Sequence, residues 1–344
     1  MSSNNRKLAT LQSVIDVQPV PGADLIEQVK IMEWTIIGKK GEFKVGDLGV
    51  FFEIDSFLPE VPRYEFMRRT SYKNNELMGS GFIVRTKKIR GIFSQGLFMP
   101  LTEFPEINFT DMEVGTDLTR RLGIREYKEP DKTGKYGNGI KVYHCNICKS
   151  GEINVQSAMH LLEALKGQPY YITEKIDGKS VLVVKENGII RVFTDEMELR
   201  NSPTSSIWKL MHDKGIVEVL MRCDDIFIQG ELFGPDINKN RLKVENMDFK
   251  FYNLGNPKTG EYYDFVDWYD ILRNTGLENV IEAVKVLEIW DCFDYNLLEL
   301  EKLTIGEYEN AGQREGIVVR PQREMIVNGE RLSFQVINKD YILV

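Results

Sequence analysis

The chain has 344 residues, of which 42% are hydrophobic and 28% charged. That composition supports a sizeable core and excludes wholesale disorder, and the length fits about two domains. The net charge of −8 excludes a protein that simply coats nucleic acid, and only three histidines (His144, His160, His212) argue against histidine-centred metal sites and Ser-His triads. No run approaches the roughly 20 apolar residues of a membrane-spanning helix, and the opening MSSNNRKLAT has no apolar signal core. Four cysteines make no disulfide framework in a chain this long. An intracellular, cytoplasmic or nuclear location without membrane attachment is expected.

Residues 5–100 read as short strands separated by turns: Trp34–Ile37, Leu48–Ile54, Gly81–Val84 and Gly96–Met99. Strands this short, punctuated by glycine and proline, suggest a small barrel or sandwich. The charge is uneven. Residues 1–125 carry 17 Lys+Arg against 16 Asp+Glu, while the remainder carries 27 against 36. The sharpest basic cluster is Arg85, Lys87, Lys88 and Arg90, which is either a contact for a polyanion or a solvated strand face. Residues 126–142, rich in Gly and Lys, make the linker between a domain over 1–125 and a domain over 143–344.

Beyond the linker, Asn154 is expected to cap a helix running to Leu165, with Met159, Leu162 and Leu165 on one face and Gly167 ending it. Hairpins follow. Tyr171–Ile176 is a strand ending at Asp177-Gly178, and Val181–Val184 and Ile189–Phe193 flank Asn187-Gly188, a strong hairpin signal. A helix over Ile207–Arg222, strands Ile226–Phe233 and Phe249–Asn253, helical stretches within 265–287 and 296–311, and strands Gly316–Arg320 and Leu332–Ile337 complete an α+β body with mostly antiparallel sheet. The pair Cys145 and Cys148 beside His144 has no second ligand pair nearby, so free thiols are expected rather than a zinc site. His160 and His212 read as surface residues. Tyr262-Tyr263 and Trp268-Tyr269 read as core or interface packing, with base stacking as the alternative.

Glu174-Lys175-Ile176-Asp177-Gly178 places a lysine and a carboxylate on one strand face, and glycine then permits a close turn. A lysine nucleophile must lose its proton near neutral pH, which neighbouring positive charge favours. Alone, K-x-D-G is also an ordinary strand-turn ion pair. It is followed in order by Gly230-Glu231-Leu232, the aromatic strand Phe249–Asn253, Glu315-Gly316-Ile317-Val318-Val319-Arg320 and the polar strand Ser333–Lys339.

This ordered set resembles motifs I, III, IIIa, IV and V of the covalent nucleotidyltransferases, which comprise polynucleotide ligases and RNA capping enzymes. The β-rich module before the lysine, with Arg6–Thr10, Pro21–Asp24, Lys40–Asp47, Ser94–Leu97 and the later run Gly234–Arg241, is similar to the ATP-dependent RNA ligases that carry an N-terminal OB domain. The resemblance implies an OB-like barrel followed by an adenylyltransferase (ATP-grasp-like ligase) domain of antiparallel sheets and flanking helices. It implies that Lys175 takes AMP from ATP as a phosphoramidate, passes it to an RNA 5′-phosphate, and that a 3′-hydroxyl then displaces it. The partners implied are RNA ends or a nicked duplex with an RNA 3′-OH strand, and no obligate protein partner is inferred.

By the same resemblance Asp177, Glu231 and Glu315 surround Mg²⁺ or Mn²⁺ through its waters, and Gly178 lies against the nucleotide. Glu174 reads the adenine edge, and Tyr252 or neighbouring Phe251 stacks on its face. Two positions depart from the pattern. Asp195 stands where an arginine is expected, and Gln335 stands where motif V opens with a lysine on the α-phosphate; Lys339, four residues on, could compensate only by rearrangement, since that shift along a strand is roughly 13 Å. The departures imply a slowed first step. They leave two alternatives open: an adenylyltransferase acting on another substrate, and a nucleic-acid-binding, ligase-like pseudoenzyme.

Overall fold

The computed structural model describes residues 6–75, 78–127, 139–140, 147, 151–194, 197–310 and 312–341. Asp195, His144, Cys145 and Cys148 lie outside the described residues. Among those described, no helix is long and apolar enough to cross a membrane. The described residues divide into two compact units, 6–127 and 139–341.

The first unit is built on one long strand, Ala9–Pro19. Its first half pairs antiparallel with Leu48–Phe52, and its second half pairs with Ile26–Ile31, the register shifting between Val14 and Asp16. An irregularity of this kind bends a strand and lets it serve two sides of a barrel. Leu97–Pro100 and Trp34–Lys39 complete the five-stranded sheet, and Arg125–Glu126, Ser56–Pro59, Gly79–Ile83 and Tyr72–Asn75 form a second sheet. The alternating apolar positions Leu11, Val50, Phe52, Leu58, Phe82 and Phe104 are buried together. A buried Phe or Leu contributes roughly 1.5–3 kcal/mol. A separate hairpin, Lys87–Ile89 with Ile92–Ser94, carries the basic cluster.

The second unit holds two larger sheets. One runs, in order, Gly139–Ile140, Glu198–Leu199, Ile189–Thr194, Lys179–Glu186, Ile226–Phe233, Asp248–Gly255 and Glu282–Ala283. Helices Ser206–Asp213, Ile216–Leu220 and Trp268–Thr275 pack on it through Ile207, Trp208, Leu220 and Trp268. The other runs Ile153–Asn154, Phe334–Ile337, Gly316–Pro321, Tyr170–Lys175 and Val286–Trp290. Helices Met159–Leu165 and Leu297–Leu303 cover it through Leu161, Leu162 and Leu300.

Several expected elements differ. The helix expected over Ile207–Arg222 is two helices, because Gly215 takes φ 75° between them; that left-handed conformation suits glycine and ends a helical ladder. The helical stretch expected within 265–287 is an α-helix over Trp268–Thr275 with 3-10 turns at Phe265–Asp267 and Leu277–Asn279, and from Val286 the chain is a strand, Val286–Trp290, on Tyr170–Thr173. The stretch within 296–311 is helical only over Leu297–Leu303. Asn154 precedes a 3-10 turn at Val155–Ser157, and its side chain caps neither that turn nor the helix Met159–Leu165. It lies in a short strand parallel to Phe334–Ile337, and its side-chain oxygen accepts a hydrogen bond from Gln335 Nε2 at 3.0 Å.

Candidate active site

Tyr170–Lys175 is a central strand, paired with Gly316–Pro321 on one side and Val286–Trp290 on the other. Its last residue, Lys175, faces Gly316 across the ladder, so Glu315 lies just beyond the end of the pairing. From Lys175 the chain turns through Ile176, Asp177 and Gly178 and enters the other sheet at Lys179. There Ser180 pairs with Glu231. The site sits where the chain crosses from one sheet to the next, which brings residues 140 apart in sequence into contact. A Cβ on Gly178 would stand 2.3 Å from the Leu232 carbonyl oxygen and 2.7 Å from Glu231 Cγ, so only glycine allows this approach of the turn to the Glu231 strand.

Lys175 Nζ donates to Glu315 Oε2 at 3.1 Å. Burial works to lower the amine's pKa, but the carboxylates of Glu315, Glu231 and Asp177 outweigh it and hold Lys175 as an ammonium above its ordinary range. Asp177 is gripped from three sides. Asn238 Nδ2 donates to its Oδ1 at 2.7 Å and to the Gly178 carbonyl at 2.9 Å. The Tyr341 hydroxyl donates to Oδ2, and Arg241 Nε stands 3.8 Å from the same oxygen. The Arg241 guanidinium lies 4.3 Å over the Tyr341 ring.

The Tyr308 hydroxyl donates to the Lys175 carbonyl at 2.7 Å and accepts from the backbone N–H groups of Asp177 (3.2 Å) and Glu315 (3.1 Å). Burial pushes this phenol well above its ordinary pKa, so it stays a donor.

Glu174 is buried beside the lysine, and burial raises its pKa despite the Arg314 guanidinium 3.9 Å away. Glu174 Oε1 and Arg314 Nε both lack a hydrogen-bond partner among the described residues. Buried polar atoms are nearly always paired, so this acceptor and donor fit a ligand with complementary groups. Phe251 and Tyr252 point to opposite faces, as strand neighbours must. Phe251 packs in the core against Trp268, whereas the Tyr252 hydroxyl shares a 2.9 Å hydrogen bond with Ser180 Oγ and its ring lies near Arg320.

The structure thus brings Glu174, Lys175, Asp177, Gly178, Glu231, Tyr252 and Glu315 to one region. Gln335 is buried two strands from Lys175 with its amide on Asn154, and Lys339 is paired with Glu301 at 2.6 Å. Arg85, Lys87, Lys88 and Arg90 are exposed on the first unit. Sequence reasoning missed Tyr308, Tyr341, Asn238 and Arg241 as site residues. The last two fall in the run Gly234–Arg241, where a signal existed; Tyr308 sits in Gly-Glu-Tyr-Glu, where nothing marks it.

Among the described residues, no three acidic, histidine or cysteine side chains stand close enough to chelate a bare ion. Three carboxylates that all act on Lys175 instead suit a hard cation that retains part of its water shell.

A family model described as RNA ligase matches residues 168–337, and one described as an OB-fold domain matches residues 8–101. Among solved structures, Naegleria gruberi RNA ligase with PPi is 30% identical over 98% of both chains, with a TM-score of 0.87. A lysine-to-methionine mutant of Naegleria gruberi RNA ligase with AMP and Mn is 29% identical over 98% of each chain, with a TM-score of 0.86. A lysine-to-alanine mutant with ATP and Mn is likewise 29% identical over 98% of each chain, at 0.87. A search of curated proteins finds no match. An OB-fold domain followed by an RNA ligase domain is the class that fold and comparisons define. Within it, this chain belongs to the RNA ligase family and is a ligase.

Proposed function

We propose that this enzyme joins RNA 3′-hydroxyl and 5′-phosphate ends at the expense of ATP, with Lys175 as the nucleophile. The observation that carries the reading is the Lys175 amine set among Glu315, Glu231 and Asp177 at the crossing between the sheets. The neutral amine attacks the α-phosphorus of ATP. An N–P bond forms, the bond to the bridging oxygen breaks, pyrophosphate leaves and the amine's proton goes to solvent. A 5′-phosphate oxygen of RNA then attacks the AMP phosphorus and the lysine departs, taking up a proton. The 3′-hydroxyl, losing its proton, finally attacks the 5′-phosphate and expels AMP.

In the resting site Glu315 stabilises the ammonium, which is the unreactive form. Neutralising the carboxylates removes the interaction that holds the proton on the amine. Asp177, Glu231 and Glu315 would hold Mg²⁺ or Mn²⁺, whose charge offsets that building on the α-phosphate. Glu174 Oε1, a buried acceptor without a hydrogen-bond partner among the described residues, is suited to the adenine amino group, and Tyr252 to the ring face. Gln335 brings hydrogen-bonding capacity but no charge, which is consistent with a slow first step. The exposed cations Arg85, Lys87, Lys88 and Arg90 are assigned to the RNA backbone.

Incubation with α-labelled ATP and divalent metal is expected to give an acid-labile AMP adduct that Lys175→Ala abolishes. An adduct persisting in the variant overturns the assignment. Transfer of label to 5′-phosphorylated RNA, then sealing, distinguishes end joining from adenylyl transfer to another acceptor.

A further inference from the structure

Tyr308 lies outside every motif, yet its hydroxyl meets three residues of the proposed nucleotidyl-transfer site at once. The ladder between Tyr170–Lys175 and Gly316–Pro321 ends at the pair Lys175 and Gly316. Asp177 and Glu315 therefore lie past the last cross-strand pair. The phenol supplies what the ladder does not. It accepts from Asp177 N at 3.2 Å and Glu315 N at 3.1 Å while donating to the Lys175 carbonyl at 2.7 Å. One donor and two acceptor sites exhaust the capacity of a hydroxyl. Its ring is 4% exposed and packed with Ile176, Phe233, Leu242, Val284 and Tyr341, so the oxygen is held by a rigid support.

We propose that the Tyr308 hydroxyl is a positioning group, which joins the backbones of Lys175, Asp177 and Glu315 into one frame and thereby sets the rate of nucleotidyl transfer to Lys175. This inference rests on the reading of Lys175 as the nucleophile. The reacting groups come from two segments, and a displacement of about 1 Å between attacking and attacked atoms costs on the order of 100-fold in rate. A hydroxyl that bonds both segments removes that freedom without touching ATP.

The test is Tyr308→Phe in the full chain, which removes one oxygen and keeps the packed ring. Hydrogen exchange at the amides of Asp177 and Glu315 reads the frame independently of activity. Exchange is expected to accelerate at these two amides while the melting temperature moves little. The maximal single-turnover rate of AMP-adduct formation is expected to fall about 10- to 100-fold, with half-saturating ATP changed less than about threefold. Unchanged exchange overturns the inference, as does faster exchange with an unchanged maximal rate. A fall accompanied by general loss of melting stability and a parallel rise in half-saturating ATP also overturns it, since that marks loosening of the domain. If the wild type forms no adduct, the nucleophile reading falls and the rate claim with it, while exchange still reports whether the frame exists.

Discussion

Arg320 is the most deeply buried ionised group near the site, with a side chain 2% exposed. It donates to Glu152 Oε1 at 2.6 Å and to Ser333 Oγ at 3.0 Å. Burial alone would raise the Glu152 pKa, but Arg320 and then Arg331 reverse this and hold the carboxyl below its ordinary range. A depressed carboxylate contributes stability that is present above the unfolded-state pKa of about 4.3 and is lost as pH falls through the folded value. Glu152→Gln is expected to destabilise the second unit by about 3–5 kcal/mol at pH 7, since it leaves Arg320 buried without its counter-charge. Denaturant melts should show that difference shrinking as the pH is lowered below about 4. A deficit that persists undiminished at low pH would show that packing, not charge, is lost. Among single residues, the groups proposed to react have a local pattern in the sequence: Lys175, Asp177 and Gly178 sit within four positions, Glu231 lies in a strand-forming run and Glu315 precedes one. Tyr308 has no such pattern, because it acts on backbone groups far away in the chain, and Asn238 is marked only by its place in the run Gly234–Arg241.

The hairpin Lys87–Ile89 and Ile92–Ser94 turns at Arg90-Gly91 and presents its cations on both faces. Lys88 Nζ lies 4.7 Å over the Phe93 ring, and Lys87 Nζ donates to Thr70 Oγ1 at 3.2 Å. Neutral substitutions at Arg85, Lys87, Lys88 and Arg90 are expected to weaken RNA binding and to lower the log–log salt slope by about 0.7 for each phosphate of a single strand that is no longer neutralised. An unchanged slope would mark the hairpin as a solvated face. Elements with local causes were the readable ones. The strands Lys179–Glu186 and Ile189–Thr194 meet across Asn187-Gly188 as the turn chemistry requires. Val286–Trp290, whose first two residues fall in the stretch expected to be helical, was not read as a strand because its strand state depends on Tyr170–Thr173, more than a hundred residues earlier.

At the scale of the molecule, each unit closes its own core, around Phe52 and Phe82 in one and around Phe249, Leu254 and Phe334 in the other. Calorimetry is expected to show two transitions, and Phe52→Ala is expected to lower only one of them, by about 3–5 kcal/mol. A single transition shifted as a whole would show that the units unfold together. The ion pair of Lys175 with Glu315 spans 140 residues, and Tyr308 follows Lys175 by 133. On a ribosome adding roughly 5–20 residues per second, the lysine emerges roughly 7–28 s before the glutamate that pairs with it. Until then Tyr170–Lys175 lacks its neighbour Gly316–Pro321, so the growing chain carries an apolar strand with an open edge and a lysine with no counter-charge from Glu315. If Glu315 serves the site as proposed, nucleotidyl transfer has to wait for chains translated through Glu315, and until then the open strand edge is a surface on which another chain can pair.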